Sequence, residues 1–239
     1  MTSSSLAAIY QRLLAFFGPQ HWWPGESALE ITVGAVLTQN TAWGNVEKAI
    51  ANLRGFDLLP RPAAASGQDQ EWPPSGPPGP NEEQCLAALA ELPPEILAAH
   101  IRPAGYYNLK AQRLRNLLHH VHREYGTLAD FLALPVNELR RQLLGVKGIG
   151  PETADSIILY AANQPVFVVD AYTHRIFSRH QLLPEETDYH AIQEAFTDAL
   201  PADPQLYNEY HALIVRTGKE FCRKTNPRCD RCPLGPLLT

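Results

Sequence analysis

The sequence has no apolar stretch approaching the roughly 20 residues that a membrane-spanning helix needs. Its first residues, Met-Thr-Ser-Ser-Ser, lack the basic segment and apolar stretch of a secretory signal. Runs of alternating β-branched residues are scarce, and only Pro165–Val169 resembles a strand, which is too short to found a sheet. We therefore expect an all-α, cytoplasmic protein with no membrane partner.

An excess of basic residues is also missing, since the formal net charge is −5. A chain that binds phosphates is usually basic, so this value argues mildly against nucleic-acid binding. The basic residues are unevenly distributed, however. The interval Arg102–Arg123 contains five Lys or Arg and no acidic residue, and a second group runs from Arg216 to Arg231. The bulk charge therefore does not exclude DNA as a partner.

Cysteine is sparse, and three of the four cysteines lie close together near the C-terminus, at Cys222, Cys229 and Cys232. A chain without an export signal is a poor candidate for a disulfide framework. Clustered thiols in such a chain are more typical of a metal site.

Apolar residues recur at helical spacing through most of the chain. This periodicity predicts helices over Ile9–Phe17, Leu29–Leu37, Cys85–Leu92, Lys110–Tyr125, Val136–Leu144, Thr153–Ala162, His190–Ala199 and Pro204–Lys219. The segment Leu59–Asn81 is rich in proline, which interrupts helices and strands. We predict that Leu59–Asn81 is a flexible surface insertion with no catalytic role.

A glycine-rich turn, Val146–Gly150, lies between two of the predicted helices. Gly148 and Gly150 flank Ile149, whose side chain can pin the turn to the core, and Pro151 suits the first turn of a helix. The next helix would then point its N-terminal amides at an anion. The pattern resembles a helix-hairpin-helix motif that grips a DNA backbone, although an ordinary helical connection punctuated by glycine has the same spacing.

The segment Val168-Val-Asp-Ala-Tyr-Thr-His-Arg175 follows this hairpin after about twenty residues. Hairpin and segment together resemble the endonuclease III (HhH-GPD) superfamily of base-excision DNA glycosylases. Two segments that precede the hairpin, Gly34–Thr41 and Gly105–Ala111, and the terminal cysteines also stand in the order found in this family.

The resemblance implies an endonuclease III-like fold of two helical lobes with a DNA cleft between them. Residues 26–164, including the insertion at 59–81, would form the central lobe and end in the hairpin. Residues 1–25 and 165–239 would form the terminal lobe. Double-stranded DNA containing a damaged base would lie across the cleft, and we expect the protein to be a monomer.

Asp170 is the candidate catalytic residue. Loss of a base builds positive charge on the sugar, and a carboxylate beside the sugar stabilises that charge and orients a water. Taken alone, an Asp after an apolar run is more often a helix cap. The resemblance assigns Asp170 to the position of the family's catalytic Asp.

Glu152 stands where strand-cleaving members of the family have a lysine, when the sequences are aligned on Gly-Ile-Gly. Such a lysine forms a Schiff base with the sugar, which a carboxylate cannot do. Lys147 is near but precedes the turn. The sequence therefore predicts a monofunctional glycosylase without β-lyase activity.

Three tryptophans lie near the start of the chain, at Trp22, Trp23 and Trp43. Core packing is the ordinary explanation for such residues. Together with Gly218-Lys219 and Glu152, however, they resemble the bacterial 3-methyladenine glycosylases built on the endonuclease III fold. That resemblance implies a base pocket of Trp22, Trp23, Trp43 and Lys219. An alkylated purine is cationic and gains a cation–π interaction with tryptophan.

The family resemblance also implies a set of DNA contacts. Gln39 and Tyr106 match positions that fill the gap left in the duplex by the flipped base, although a buried Gln and a core Tyr are equally ordinary. The full set of predicted DNA-contact residues is Gln39, Tyr106, Lys147, Gly148, Ile149, Gly150, Glu152 and Arg175.

The spacing Cys222-x₆-Cys229-x₂-Cys232 matches the first three ligands of the family's [4Fe–4S] loop. The fourth Cys is expected at position 238, where this chain has Leu238. Three alternatives remain: a structural cluster with another fourth ligand, a degenerate loop without metal, and zinc.

Two other functions are compatible with the sequence. One is an endonuclease III-type glycosylase for oxidised pyrimidines or mismatches. The other is a DNA-binding relative that has lost catalysis, which the missing fourth Cys and the acidic balance favour and the intact Asp170 opposes.

Overall fold

A computed structural model of the chain describes residues 2–23, 25–60 and 79–235. Over these residues the protein is built from helices, and no β-strand is present, which confirms the predicted all-α class. No helix in this part of the chain combines the length and the apolar character needed to cross a membrane. The α-helices are α1 Ser3–Phe17, α2 Ala28–Leu37, α3 Trp43–Gly55, α4 Glu82–Glu91, α5 Pro94–His100, α6 Tyr107–Tyr125, α7 Leu128–Leu132, α8 Val136–Gly145, α9 Pro151–Ser156, α10 Ala171–Arg179, α11 Tyr189–Thr197 and α12 Pro204–Glu220.

The chain divides into two compact units. The central unit comprises residues 25–157, and the terminal unit comprises residues 1–24 and 158–239. The predicted boundaries of 26–164 for one lobe and 1–25 plus 165–239 for the other stay a prediction.

The central unit is organised around α6, which packs against α4 and α5. Its buried residues Ala111, Leu114, Leu118 and Val121 recur every three or four positions, so they form one apolar stripe. Gly126 caps the C-terminus of α6 with a φ of 78°, which suits glycine.

Lys110 is buried on the same face of α6. Its Nζ donates to the carbonyl oxygens of Leu37 at 2.8 Å and Ala104 at 2.7 Å. Burial, aided by the positive charge of Arg113, lowers the pKa of Lys110 to about 8. Lys110 thus satisfies two main-chain acceptors and is not part of an exposed basic surface, contrary to what the run of cations in Arg102–Arg123 suggested.

The terminal unit has an aromatic core. The rings of Phe167 and Phe196 stack with their centroids 4.0 Å apart, and Phe177 and Tyr210 pack edge-on against Phe196. The Tyr210 hydroxyl donates to the Leu6 carbonyl oxygen at 2.9 Å, which ties α12 to α1. This core fixes α12 and α10 against each other.

The predicted insertion Leu59–Asn81 is only partly described, because its residues 61–78 lie outside the described ranges. Its two ends belong to the fold and are not loose surface chain. Leu59 is fully buried, and Asn81 caps α4 by accepting a hydrogen bond from the Gln84 amide. The prediction of a surface insertion is therefore wrong at the buried Leu59, whereas Asn81 is exposed as predicted but ordered as a helix cap.

A single π-helical turn, Ile157–Ala161, directly follows α9. Such turns insert one extra residue per turn into a helix and often occur at functional sites. Here the turn carries Tyr160, which is 8% exposed.

Candidate active site and DNA-contact residues

Asp170 precedes α10 and caps it. Its Oδ1 accepts hydrogen bonds from the Thr173 amide at 2.7 Å and from the Thr173 hydroxyl at 2.9 Å. Its Oδ2 faces Nε2 of His211, on α12, at 3.6 Å. Asp170 is thus a helix cap, the ordinary role for an Asp at this point, but its second oxygen remains directed at a different helix.

The electrostatic surroundings keep this carboxylate ionised. Burial alone would raise the pKa of Asp170, since only 11% of its side chain is exposed. His211 and the two Thr173 hydrogen bonds outweigh burial and lower the pKa below its ordinary value. Asp170 is therefore an anion at neutral pH.

The segment before Trp22 is fixed to α12 through Gln20. The Gln20 amide donates to Glu209 Oε1 at 2.7 Å, and Arg216 Nη1 donates to Gln20 Oε1 at 2.9 Å. Because Glu209 and Arg216 lie two turns apart on one helix, they hold this irregular segment along the helix.

The tryptophan pair extends from this anchor. The rings of Trp22 and Trp23 meet at 70° with their centroids 5.5 Å apart, and Trp23 lies 5.0 Å from Tyr160. Lys219 Nζ sits 5.7 Å from the centroid of the Trp22 ring. Three of the four predicted pocket residues thus lie together in the terminal unit, with Trp22 and Trp23 half-buried and Lys219 exposed.

Trp43 lies in the central unit, whereas the cluster of Trp22, Trp23 and Lys219 lies in the terminal unit. It is the first residue of α3 in the central unit, where it is half-buried. Its predicted role in the base pocket stays a prediction.

Two residues that the sequence did not single out join this cluster to Asp170. The Tyr160 hydroxyl lies 2.6 Å from Nδ1 of His211, whose Nε2 faces Asp170. Tyr160 stands in the apolar run Ile157–Tyr160, and His211 lies within an apolar stretch of α12. Both patterns are those of core residues, so spacing alone offers no signal for them.

The hairpin Val146–Gly150 has the local geometry expected of a tight turn. Ile149 is buried and its amide donates to the Val146 carbonyl oxygen at 3.1 Å. Gly148 has φ +102°, whereas Gly150 is extended and caps α9, so only Gly148 needs the left-handed region. Lys147 is exposed.

Gln39 is engaged with this hairpin. Its Nε2 donates to the Thr153 hydroxyl at 2.9 Å and to the Gly148 carbonyl oxygen at 3.3 Å. Its Oε1 accepts from Arg113 Nη1 at 2.5 Å, and the stem of Arg113 covers Gly148. The structure therefore brings Gln39 together with the hairpin, through an arginine that sequence patterns did not identify.

Tyr106 and Glu152, also in the central unit, are both exposed. Tyr106 is 73% exposed and adopts a left-handed backbone conformation just before α6. Glu152 lies in the first turn of α9. Neither is a core residue, so the burial explanation for Tyr106 is wrong.

Arg175, predicted to contact DNA, binds the protein's own cysteine loop. Its Nε donates to the Cys222 carbonyl oxygen at 2.7 Å. Arg179 donates to the carbonyl oxygens of Arg223 and Lys224 at 2.7 and 3.0 Å. These two arginines of α10 hold the loop that begins at Cys222.

The three terminal cysteines line one cavity of about 20 Å³. Burial raises the pKa of the Cys232 thiol, and the nearby Cys222 and Cys229 raise it further. Within residues 2–23, 25–60 and 79–235, no group of three His, Cys, Asp or Glu side chains is arranged to hold a metal ion. Leu238 lies outside the described residues. The donors match three cluster ligands in type and spacing but not in arrangement, so the [4Fe–4S] cluster stays a prediction.

Comparison with known proteins identifies the family. The profile of the HhH-GPD superfamily of base excision DNA repair proteins matches residues 33–202. A Methanocaldococcus jannaschii protein, provisionally named a DNA repair glycosylase, is 44% identical over 228 residues, which cover 95% of this chain and 92% of that protein.

Two solved structures are similar over nearly the full chain. The H. pylori 3-methyladenine DNA glycosylase (MagIII) bound to 1,N6-ethenoadenine is 30% identical with a TM-score of 0.73, and the match covers 92% of this chain and 98% of that one. A non-covalent endonuclease III–DNA complex is 18% identical with a TM-score of 0.74, and the match covers 99% of this chain and 95% of that one. At this identity the likeness shows the fold alone. The predicted endonuclease III-like fold is confirmed, and the chain is a DNA glycosylase that belongs to the HhH-GPD superfamily of base excision DNA repair proteins.

Proposed function

We propose that this glycosylase hydrolyses the N-glycosidic bond of alkylated purines such as 3-methyladenine in double-stranded DNA, and that it does not cleave the strand. The observation that carries the proposal is the cluster of Trp22, Trp23 and Tyr160, which continues through His211 to the ionised Asp170. The 30% identity to a 3-methyladenine glycosylase over nearly the whole chain supports it.

Asp170 would act on the sugar. As the base departs, the sugar approaches an oxocarbenium ion, and a nearby carboxylate lowers the energy of that state. Asp170 meets the requirement because its pKa is depressed and Thr173 fixes its orientation. The same carboxylate can orient the attacking water, so hydrolysis needs no covalent bond to the enzyme.

The tryptophans would receive the flipped base. A glycosylase must take its target out of the stack and hold it against aromatic or apolar side chains. A methylated purine carries a positive charge, so stacking on Trp22 or Trp23 gains a cation–π attraction that a normal base lacks. The charged base is also a good leaving group, which reduces the need for a strong general acid.

The proposed absence of strand cleavage rests on Glu152. β-Elimination through a Schiff base requires an amine that attacks the sugar. Glu152 occupies the exposed first turn of α9, where strand-cleaving relatives have lysine. A carboxylate at that position cannot form an imine.

DNA contacts would come from the hairpin and Tyr106. Lys147 is an exposed cation on the hairpin, suited to a phosphate. Tyr106 is exposed enough to enter a gap in the duplex. Gln39 would support the hairpin through its bonds to Gly148 and Thr153.

The test is a panel of duplexes, each with one lesion, incubated with the enzyme and then analysed with and without alkali. We expect release of 3-methyladenine or 7-methylguanine, with strand breaks only after alkali. Release only of oxidised pyrimidines or mismatched bases would contradict the proposed substrate. No release from any lesion would contradict catalysis and favour a binding protein.

Borohydride reduction in the presence of abasic-site DNA tests the absence of lyase activity. We expect no covalent protein–DNA complex, because Glu152 offers no amine. Efficient trapping would contradict a monofunctional mechanism.

A further inference from the structure

Tyr160, His211 and Asp170 form a continuous polar chain inside the terminal unit. The Tyr160 oxygen and His211 Nδ1 are 2.6 Å apart, and His211 Nε2 and Asp170 Oδ2 are 3.6 Å apart. His211 is 8% exposed in its side chain, and among the described residues its buried Nε2 has no hydrogen-bond acceptor within 3.5 Å. The unused nitrogen therefore points at the carboxylate that the proposed function places at the sugar.

The contacts favour one arrangement of protons. If the Tyr160 hydroxyl donates to Nδ1, the neutral imidazole carries its proton on Nε2 and directs it toward Asp170 Oδ2. The opposite tautomer would set a nitrogen lone pair against a carboxylate, which is repulsive. Contacts of 3.6 Å at catalytic groups commonly shorten when the substrate binds.

His211 is the ionisable group of another element that most directly faces Asp170. Tyr189 Oη lies 3.5 Å from the Val169 amide, next to Asp170 in sequence. Charged and titratable side chains elsewhere on α10 and α12 make other contacts: His174 with the Glu185 carbonyl, Arg175 with Cys222, Glu209 with Gln20, Arg216 with Glu220 and Gln20, and Lys219 with Trp22. The Tyr172 ring lies under the Arg175 guanidinium.

The same chain touches the proposed base pocket. Trp23 packs on Tyr160 with ring centroids 5.0 Å apart. A base stacked on Trp23 would therefore press on the residue that orients His211. This contact gives base binding a physical route to the carboxylate.

We propose that His211, oriented by Tyr160, is a positioning residue that fixes Asp170 and keeps it ionised for base excision. This inference rests on the proposed function. Asp170 acts on the sugar, whereas His211 acts only through Asp170. The lowered pKa of Asp170, to which His211 contributes, is consistent with this role.

The test compares pH profiles of single-turnover excision for the wild type, His211→Leu and His211→Gln. Without the Nε2–H donor, burial is less opposed and the pKa of Asp170 rises. Excision depends on ionised Asp170, so it declines as the pH falls through the pKa of that carboxyl group. With a higher pKa, this decline begins at a higher pH. For His211→Leu we expect at least ~10-fold slower excision at neutral pH and an acid limb displaced upward by about one unit. His211→Gln retains an amide donor, so its excision rate and its acid limb should both lie between those of His211→Leu and the wild type.

Tyr160→Phe removes the hydroxyl that orients His211 but leaves the imidazole in place, so it should slow excision less than His211→Leu does. Tyr210→Phe is the matched control, since it deletes a buried hydroxyl bonded to Leu6 in the same unit. The acid limb of the Tyr210→Phe profile should lie at the same pH as that of the wild type. An unchanged acid limb in His211→Leu, even with lowered stability, would show a merely structural role and overturn the inference.

A ¹³C NMR titration of the Asp170 carboxyl group in the free proteins gives a readout that does not need a substrate. We expect its pKa to be higher in His211→Leu than in the wild type, and an equal pKa would overturn the inference. If the wild type releases no base from any lesion, the proposed function fails, and this titration still decides whether His211 holds Asp170 ionised.

Discussion

Glu152 occupies the first turn of α9, the position that the family resemblance aligns with the lysine of strand-cleaving members. Restoring that amine with Glu152→Lys should create a nucleophile within reach of the sugar. We expect borohydride to trap Glu152→Lys covalently on abasic-site DNA, whereas the wild type should not be trapped. Glu152→Gln is the control, because it removes the charge without adding an amine. No trapping of a Glu152→Lys variant that still binds the DNA would argue against this placement.

Lys219 holds its ammonium 5.7 Å from the Trp22 ring. A cationic base stacked there would compete with Lys219 for the ring and be repelled by it, whereas a neutral lesion would not. Lys219→Met should therefore increase excision of 7-methylguanine relative to neutral 1,N6-ethenoadenine, by roughly five-fold for a difference of about 1 kcal/mol.

The ratio of the two excision rates measures this effect, and it cancels differences in folding or overall DNA affinity. Lys224→Met removes another exposed lysine of the terminal unit and should leave the ratio unchanged. A ratio that is equal in the wild type and Lys219→Met would remove Lys219 from the base pocket.

The hairpin between α8 and α9 depends on Gly148. An alanine there would have φ +102°, and its Cβ would lie 2.4 Å from Cγ of Arg113. We expect Gly148→Ala to lower the free energy of unfolding by about 1–3 kcal/mol. It should weaken binding to damaged and undamaged duplex alike, because the hairpin is proposed to contact only the backbone.

Urea denaturation and a DNA-binding titration check this prediction. Gly145→Ala is the control, since Gly145 ends α8 without a positive φ and a Cβ there would meet nothing within 4 Å. That variant should be as stable as the wild type or more so, because alanine favours a helix. Equal DNA affinity in Gly148→Ala and the wild type would exclude the hairpin from the interface.

The cysteine loop after α12 is held by Arg175 and Arg179. If the predicted [4Fe–4S] cluster assembles on Cys222, Cys229 and Cys232, freshly purified protein should absorb broadly near ~400 nm. Cys229→Ser should then abolish that absorbance. A featureless spectrum of the wild type, with no iron by elemental analysis, would contradict the cluster.

Over the residues that the structure describes, periodicity identified the long helices well. α6 and α12 bury regular apolar stripes, so hydrophobic spacing is enough to find them. α3 and α10 were missed for different reasons. α3 follows Gln39–Ala42 with no side-chain cap, and α10 is predominantly polar, with Thr173, Ile176 and Phe177 as its buried residues. Both helices still bury residues at helical spacing, Val46, Ala49, Ile50 and Leu53 in α3 and Thr173, Ile176 and Phe177 in α10, so packing within each unit stabilises them.

The site was predictable only where its residues belong to a family motif. Asp170 and the hairpin stand in recognisable runs, so a resemblance located them. His211, Tyr160 and Arg113 lie outside those motifs in sequence and act through contacts that only the folded chain creates. Arg175 shows the opposite case, since its motif position suggested DNA, while its side chain binds the Cys222 carbonyl.

Asp170→Asn tests the proposed mechanism most directly. Asparagine retains an oxygen that can cap α10, so the variant should fold and bind lesion-containing duplex as the wild type does. It lacks the negative charge that stabilises the sugar cation, so excision should fall by at least about a hundred-fold in single-turnover assays at saturating enzyme. Undiminished excision by Asp170→Asn would contradict the role of this carboxylate.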